Sequence, residues 1–123
     1  MITQVETFAE GLVRIIRQQR LDLSTEKRLQ SGLADVFLNS NIAFSREHAL
    51  SPGDIPDFFM DHGVLIECKV HGAKKMDVYK QLCRYAEHDE VSAIILASNI
   101  SMGMPALING KPVFCASLSR GWL

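Results

Sequence analysis

Residues 54–85 read DIPDFFMDHGVLIECKVHGAKKMDVYKQLCRY, and the fold turns on how they pair. Two apolar runs, DIPDFFM and VLIECKV, are separated by Asp61-His62-Gly63. A three-residue connection ending in glycine suits a β-hairpin whose last loop residue adopts the left-handed conformation. Such a loop sets Met60 opposite Val64 and, counting outward, Asp57 opposite Glu67. Side chains alternate along a strand, so Glu67 and Lys69 share one face while Ile66, Cys68 and Val70 take the other. The register therefore gathers two carboxylates and an ammonium on one patch of sheet. Like charges directly opposite each other destabilise a sheet. A bound divalent cation is the simplest compensation.

After Val70, His71-Gly72-Ala73 leads into a basic amphipathic helix from about Lys74 to His88. Lys74, Val78, Gln81 and Tyr85 follow one another by four, three and four residues and form one stripe. Upstream, residues 3–20 place Val5, Phe8, Leu12, Ile15 and Ile16 on a helical stripe, with Arg14, Arg17 and Arg20 largely off it. Ser24 reads as the N-cap of a second helix from Thr25 to about Leu38, closed by Asn39-Ser40-Asn41. Leu29, Leu33, Val36 and Phe37 form its apolar face. Ile42 to Leu50 reads as a first strand, with Ser51-Pro52-Gly53 as the turn into the hairpin. Val91 to Ala97 is a buried strand by its β-branched content. Ser101 to Gly110 reads as loop, Pro112 to Leu118 as a last strand, and Trp122 as an anchor for the terminus. The expected class is α/β, a mixed central sheet flanked by helices.

The chain has 123 residues, enough for one compact domain, here expected over 1–123. At 47% hydrophobic and 22% charged residues it has the composition of an ordinary globular protein. Its net charge of −1 advertises no global field for nucleic acid, so positive charge must be sought locally. His71, Lys74, Lys75, Lys80 and Arg84 form such a local patch. Cys68, Cys83 and Cys115 show no paired metal-type spacing and read as reduced thiols, Cys68 and Cys83 on buried elements. No secretory signal pattern opens the chain and no apolar run reaches membrane-span length. The expectation is a cytoplasmic protein without a membrane partner.

Pro56-Asp57, nine intervening residues, then Glu67-Cys68-Lys69 resembles the signature of the PD-(D/E)xK nuclease superfamily. Gln81-Leu82-Cys83-Arg84-Tyr85 resembles the QxxxY element carried by several of its branches on the following helix. The resemblance covers roughly half the chain. It implies a restriction-endonuclease-like core and a metal-dependent hydrolase of DNA phosphodiester bonds. It further implies Mg²⁺ or Mn²⁺ held by Asp57, Glu67 and the Cys68 carbonyl, with Glu26 as the upstream acid and Glu47 as its rival. Lys69 would orient the attacking water or stabilise charge in the transition state, and Gln81 and Tyr85 would orient Lys69 or the substrate phosphate. Lys74, Lys75 and Arg84 would contact phosphates.

Each residue also has a plainer reading. Asp57 and Glu67 could be a solvent-facing acid pair, but apolar Phe58, Phe59, Ile66 and Cys68 bracket them. Lys69 could simply neutralise that pair. Glu26 suits the first turn of a helix by the dipole alone. Gln81 and Tyr85 could be helix-surface polarity with Tyr85 half-buried, and Lys80 and Arg84 a solvated face. His48, His62 and His88 read as surface residues. Small members of the superfamily include Holliday-junction resolvases, generally dimers, and phage-type nucleases. The QxxxY element leans toward exonuclease-like, recombination-associated branches, and that choice stays open. The rival function is a catalytically silent nuclease fold that binds DNA or serves assembly.

Overall fold

A computed structural model describes residues 3–118. The N-terminal helix α1 spans Gln4–Arg17, opened by a capping box in which Thr3 and Glu6 satisfy each other's backbone N–H groups. It stops short of the predicted residue 20 because Gln18 and Gln19 N–H turn back to the Ile15 and Ile16 carbonyls. Helix α2 spans Glu26–Asn39, and its N-cap is Thr25, whose hydroxyl accepts from Arg28 N–H. Ser24, expected in that role, instead bonds Asp22 through both backbone and hydroxyl. The helix closes where Asn41 turns left-handed and Ile42 N–H reaches the Phe37 carbonyl.

Strand β1 is Phe44–Arg46, far shorter than the predicted 42–50, because Glu47 turns to φ 56° and leaves the strand. Strand β2 is Phe58–Met60 and β3 is Val64–Lys69. Between them Asp61–Gly63 makes a 3-10 turn in which both His62 and Gly63 are left-handed. Gly63 is required there on a second count: a Cβ would stand 2.4 Å from the Glu90 carbonyl oxygen. Helix α3 is Lys75–Ala86, β4 is Ala93–Ser98, and β6 is Lys111–Ser117. The predicted loop before β6 contains one more strand, β5, Leu107–Ile108. It folds back on β6 through Asn109-Gly110, both left-handed, the dipeptide that a tight hairpin favours.

Among the described residues six strands form one mixed sheet, ordered β1-β2-β3-β4-β6-β5. The β1-β2-β3 meander is antiparallel, β3, β4 and β6 run parallel, and β5 is antiparallel to β6. Helices α1 and α2 cover one face, where Leu12, Ile16, Leu33 and Phe37 pack on Ile66, Cys68 and Ile95. Helix α3 covers the other, where Val78, Leu82 and Tyr85 pack on Leu65, Ile94 and Leu96. The protein is thus an α/β fold, a mixed sheet flanked by three helices. Strand β4, AIILAS, is buried along its whole length, as a central parallel strand covered on both faces must be. No helix is long and apolar enough to cross a membrane. Cys68 is buried, Cys83 half-buried and Cys115 exposed, all three free. The Trp122 anchor lies outside the described residues.

Candidate active site

Phe58 pairs with Ile66 and Phe59 with Leu65, and continuing that register sets Asp57 opposite Glu67, as the hairpin count predicted. At this point the two carboxylates take the place of ladder carbonyls. Asp57 N–H donates to Glu67 Oε1 at 3.3 Å, and Cys68 N–H donates to Asp57 Oδ2 at 2.7 Å. Lys69 Nζ lies 3.3 Å from Glu67 Oε2. From α3, Gln81 Nε2 donates to the Tyr85 hydroxyl at 3.0 Å. That hydroxyl shares its one proton between Glu67 Oε1, at 3.2 Å, and the Ile55 carbonyl, at 3.3 Å. Tyr85 is fully buried, which sets aside the plainer reading of it as half-buried helix-surface polarity.

Glu67 is only 3% exposed, so its charge stands where water scarcely reaches. Burial first, and the Asp57 charge second, push its carboxyl up to about 7, against the pull of Lys69. Burial likewise raises Asp57, opposed by the Cys68 N–H and by Lys69. The Tyr85 hydroxyl is raised by burial and then by Glu67, which keeps it a donor. At neutral pH the pair is therefore poised to give up a proton to solvent or exchange it for a cation.

Lys69 and Gln81 open onto a cleft of about 530 Å³ between α3, the 70–74 loop and the start of α2. Four cationic side chains line it, Lys69, Lys74, Lys80 and Arg84, against two acids, Glu26 and Asp77. The positive charge that the −1 total conceals is concentrated here. Glu26 is close enough that its charge raises Asp57, whereas Glu47 is exposed on the turn after β1 and lines no part of the cleft.

No family model, curated protein or solved structure matches the chain. The donor set must therefore speak for itself. Among the described residues Asp57 Oδ1 accepts no hydrogen bond, and Glu67 Oε2 accepts only that of Lys69. Two carboxylates and the neighbouring Cys68 carbonyl are hard oxygen donors, which fit Mg²⁺ or Mn²⁺. No group of three or more His, Cys, Asp and Glu side chains converges on one point among the described residues, so Glu26 shares the cleft without completing a cage. Sparse protein ligation suits Mg²⁺, which keeps several waters, better than it suits Zn²⁺.

The remaining expected contacts divide. Lys74 lines the cleft, while Lys75 turns toward Gly103 on the loop after β4. Arg84 lines the cleft but its Nε is already 3.1 Å from Asp54 Oδ1. His88, expected at the surface, is half-buried and holds Asp54 Oδ2 at 2.9 Å, which helps draw that carboxyl below its ordinary range. His48 stacks on Phe59 beside Glu90, and His62 packs against Phe8. One residue escaped the sequence reading: Arg46 on β1. Its guanidinium lies 4.8 Å from the Phe58 ring centroid, donates to Gln30 Oε1 at 2.8 Å, and draws Asp57 downward. Only the pairing of β1 with β2, across the irregular 47–57 connection, brings it there.

Proposed function

We propose that the protein is a metal-dependent nuclease hydrolysing phosphodiester bonds in DNA, built on a restriction-endonuclease-like core of the PD-(D/E)xK kind. The observation that carries the reading is the pairing of buried Glu67 with half-buried Asp57, where Glu67 is touched by Tyr85 and by Lys69, itself part of the lining of a cleft rich in cations. Isolated buried acids of like charge are costly, and a hydrolytic metal site explains why they are held together. Mg²⁺ or Mn²⁺ bound there supplies Lewis-acid polarisation of a phosphoryl oxygen and of the attacking water. Tyr85, itself held by Gln81, fixes the Glu67 carboxylate in place. Lys69 orients the water and neutralises charge that develops on the phosphoryl group. Lys74 and Lys80 hold neighbouring phosphates, with Arg84 divided between that task and Asp54. The processing of recombination, repair or phage DNA intermediates, by a homodimer where two strands are cut, fits a chain of this size.

The test is incubation of purified protein with Mg²⁺ or Mn²⁺ and linear, nicked, branched and single-stranded DNA. Cleavage should vanish in excess EDTA. Lys69→Ala should keep its metal affinity and lose activity by about 10²-fold or more, because its role lies in the transition state. Cleavage undiminished by EDTA removes the metal from the mechanism. Binding of DNA without cleavage under either metal makes the chain a silent DNA-binding module instead.

A further inference from the structure

Parallel register carries the site's polar row across the sheet. Lys69 pairs with Ser98 and Ser98 with Ser117, while Glu67 pairs with Leu96 and Leu96 with Cys115. Paired residues of neighbouring strands point to the same face, and each step across is about 5 Å. At the far end of this row, under the loop that follows β4, lies a cavity of about 220 Å³. It stands at the carboxyl ends of β4 and β6, where open α/β sheets place their ligands.

Its lining excludes some ligands and selects others. None of the described residues around it is charged, so among them neither a phosphate nor a cation finds an ionic partner inside. Leu96, Ile100, Met102 and Met104 supply apolar walls, and thioethers pack well against aromatic rings. Ser98, Ser101 and Ser117 are the hydroxyl-bearing residues of the lining. Ser98 Oγ accepts from Ile100 N–H at 3.0 Å, which leaves its proton free to donate. A flat, uncharged ring with hydrogen-bonding edges meets these terms. Between this cavity and the cleft stands Lys75, whose Nζ lies 3.7 Å from where a Gly103 Cβ would be. An ammonium there suits the phosphate that links two nucleotides.

We propose that this cavity is a nucleobase subsite, taking the base of an unpaired nucleotide whose phosphate lies at Lys75 beside the cleft. The inference rests on the nuclease reading and narrows it. A base inside a duplex is stacked and paired, so occupancy requires single-stranded, frayed or branched DNA. The substrate class is therefore DNA with unpaired nucleotides.

The test uses the full chain and synthetic single-stranded oligonucleotides, intact or with one abasic residue moved along the strand. Affinity is read by fluorescence anisotropy in EDTA, and cleavage separately in Mg²⁺. An abasic residue at one fixed distance from the cut should weaken binding about tenfold, and elsewhere little. Cys115→Phe, which fills the cavity from an exposed strand position, should erase that difference and leave abasic affinity unchanged. Ser101→Trp, from the exposed loop, serves the same purpose should the first variant fold poorly. Cleavage indifferent to abasic position, or equal on blunt duplex, overturns the subsite and leaves the nuclease standing. Base-dependent binding without cleavage upholds the subsite and removes the catalysis. Absence of both overturns the two together.

Discussion

Glu67 is the residue on which site and stability meet. Its carboxyl titrates near 7 in the folded protein against an ordinary value of 4.5, so the folded state binds a proton that the unfolded chain releases earlier. Below about pH 4.5 both forms are protonated and Glu67 costs nothing. As pH rises toward 7 and beyond, the folded protein must bear a buried charge, and that share of stability is lost. The metal-free protein should therefore melt several degrees lower at pH 8 than at pH 5. Asp57→Asn removes one of the two like charges and keeps the shape. In EDTA it should melt at the wild-type temperature or slightly above, with a flatter pH profile, while DNA cleavage collapses because an amide is a poor ligand for a hard cation. A clearly lower metal-free melting temperature together with normal cleavage would assign Asp57 a structural role. Tyr85→Phe tests the other support of Glu67. It strips the Gln81 amide and the Ile55 carbonyl of a partner, so stability should fall by about 1–2 kcal/mol and turnover should fall with it. Turnover unchanged in a destabilised Tyr85→Phe would separate the hydroxyl from the chemistry.

The hairpin is the element that sets the acids opposite each other, and its turn is held by more than its own sequence. Gly63 sits at φ 72° with the Glu90 carbonyl and Ser92 closed over it, and Ser92 N–H donates to the Gly63 carbonyl at 2.8 Å. Gly63→Ala meets both a left-handed backbone and a clash with main chain, and should cost about 3 kcal/mol or more in urea melts. The turn begins β3, whereas Lys69 ends it, so activity per folded molecule should survive. A variant as stable as the wild type would show that the 90–92 segment yields to the extra methyl. The Asn109-Gly110 hairpin shows how an element goes unread. Asn-Gly favours a tight turn, but only two residues precede it in a strand, too few for any alternation to register.

For the whole molecule, net charge is a poor guide to partners. The −1 total averages a surface on which Lys69, Lys74, Lys80 and Arg84 converge in one cleft. If that cleft holds a DNA strand, binding should weaken with salt in proportion to the phosphates engaged, by about 0.7 in logarithmic slope for each on a single strand. Lys74→Ala with Lys80→Ala should weaken all sequences alike and lower the slope by roughly 1.4. A slope unaltered by both substitutions would place the nucleic acid elsewhere.

The sequence by itself determined the hairpin register, because a three-residue loop fixes which residues face each other and a period of two fixes the faces. It determined the buried β4 strand and the three helices through their apolar patterns, which are local and repeat. The stripe from Lys74 to Tyr85 was legible for the same reason. What covers each face was decided only by tertiary packing. The burial of Glu67, the seating of Tyr85 on it and the choice of Glu26 over Glu47 for the cleft depend on chain crossings that no window of sequence contains. So do the arrival of Arg46 beside Asp57 and the ends of β1. Charge and spacing are properties of neighbours along the chain, whereas desolvation, which raises Glu67 to about 7, belongs to neighbours in space.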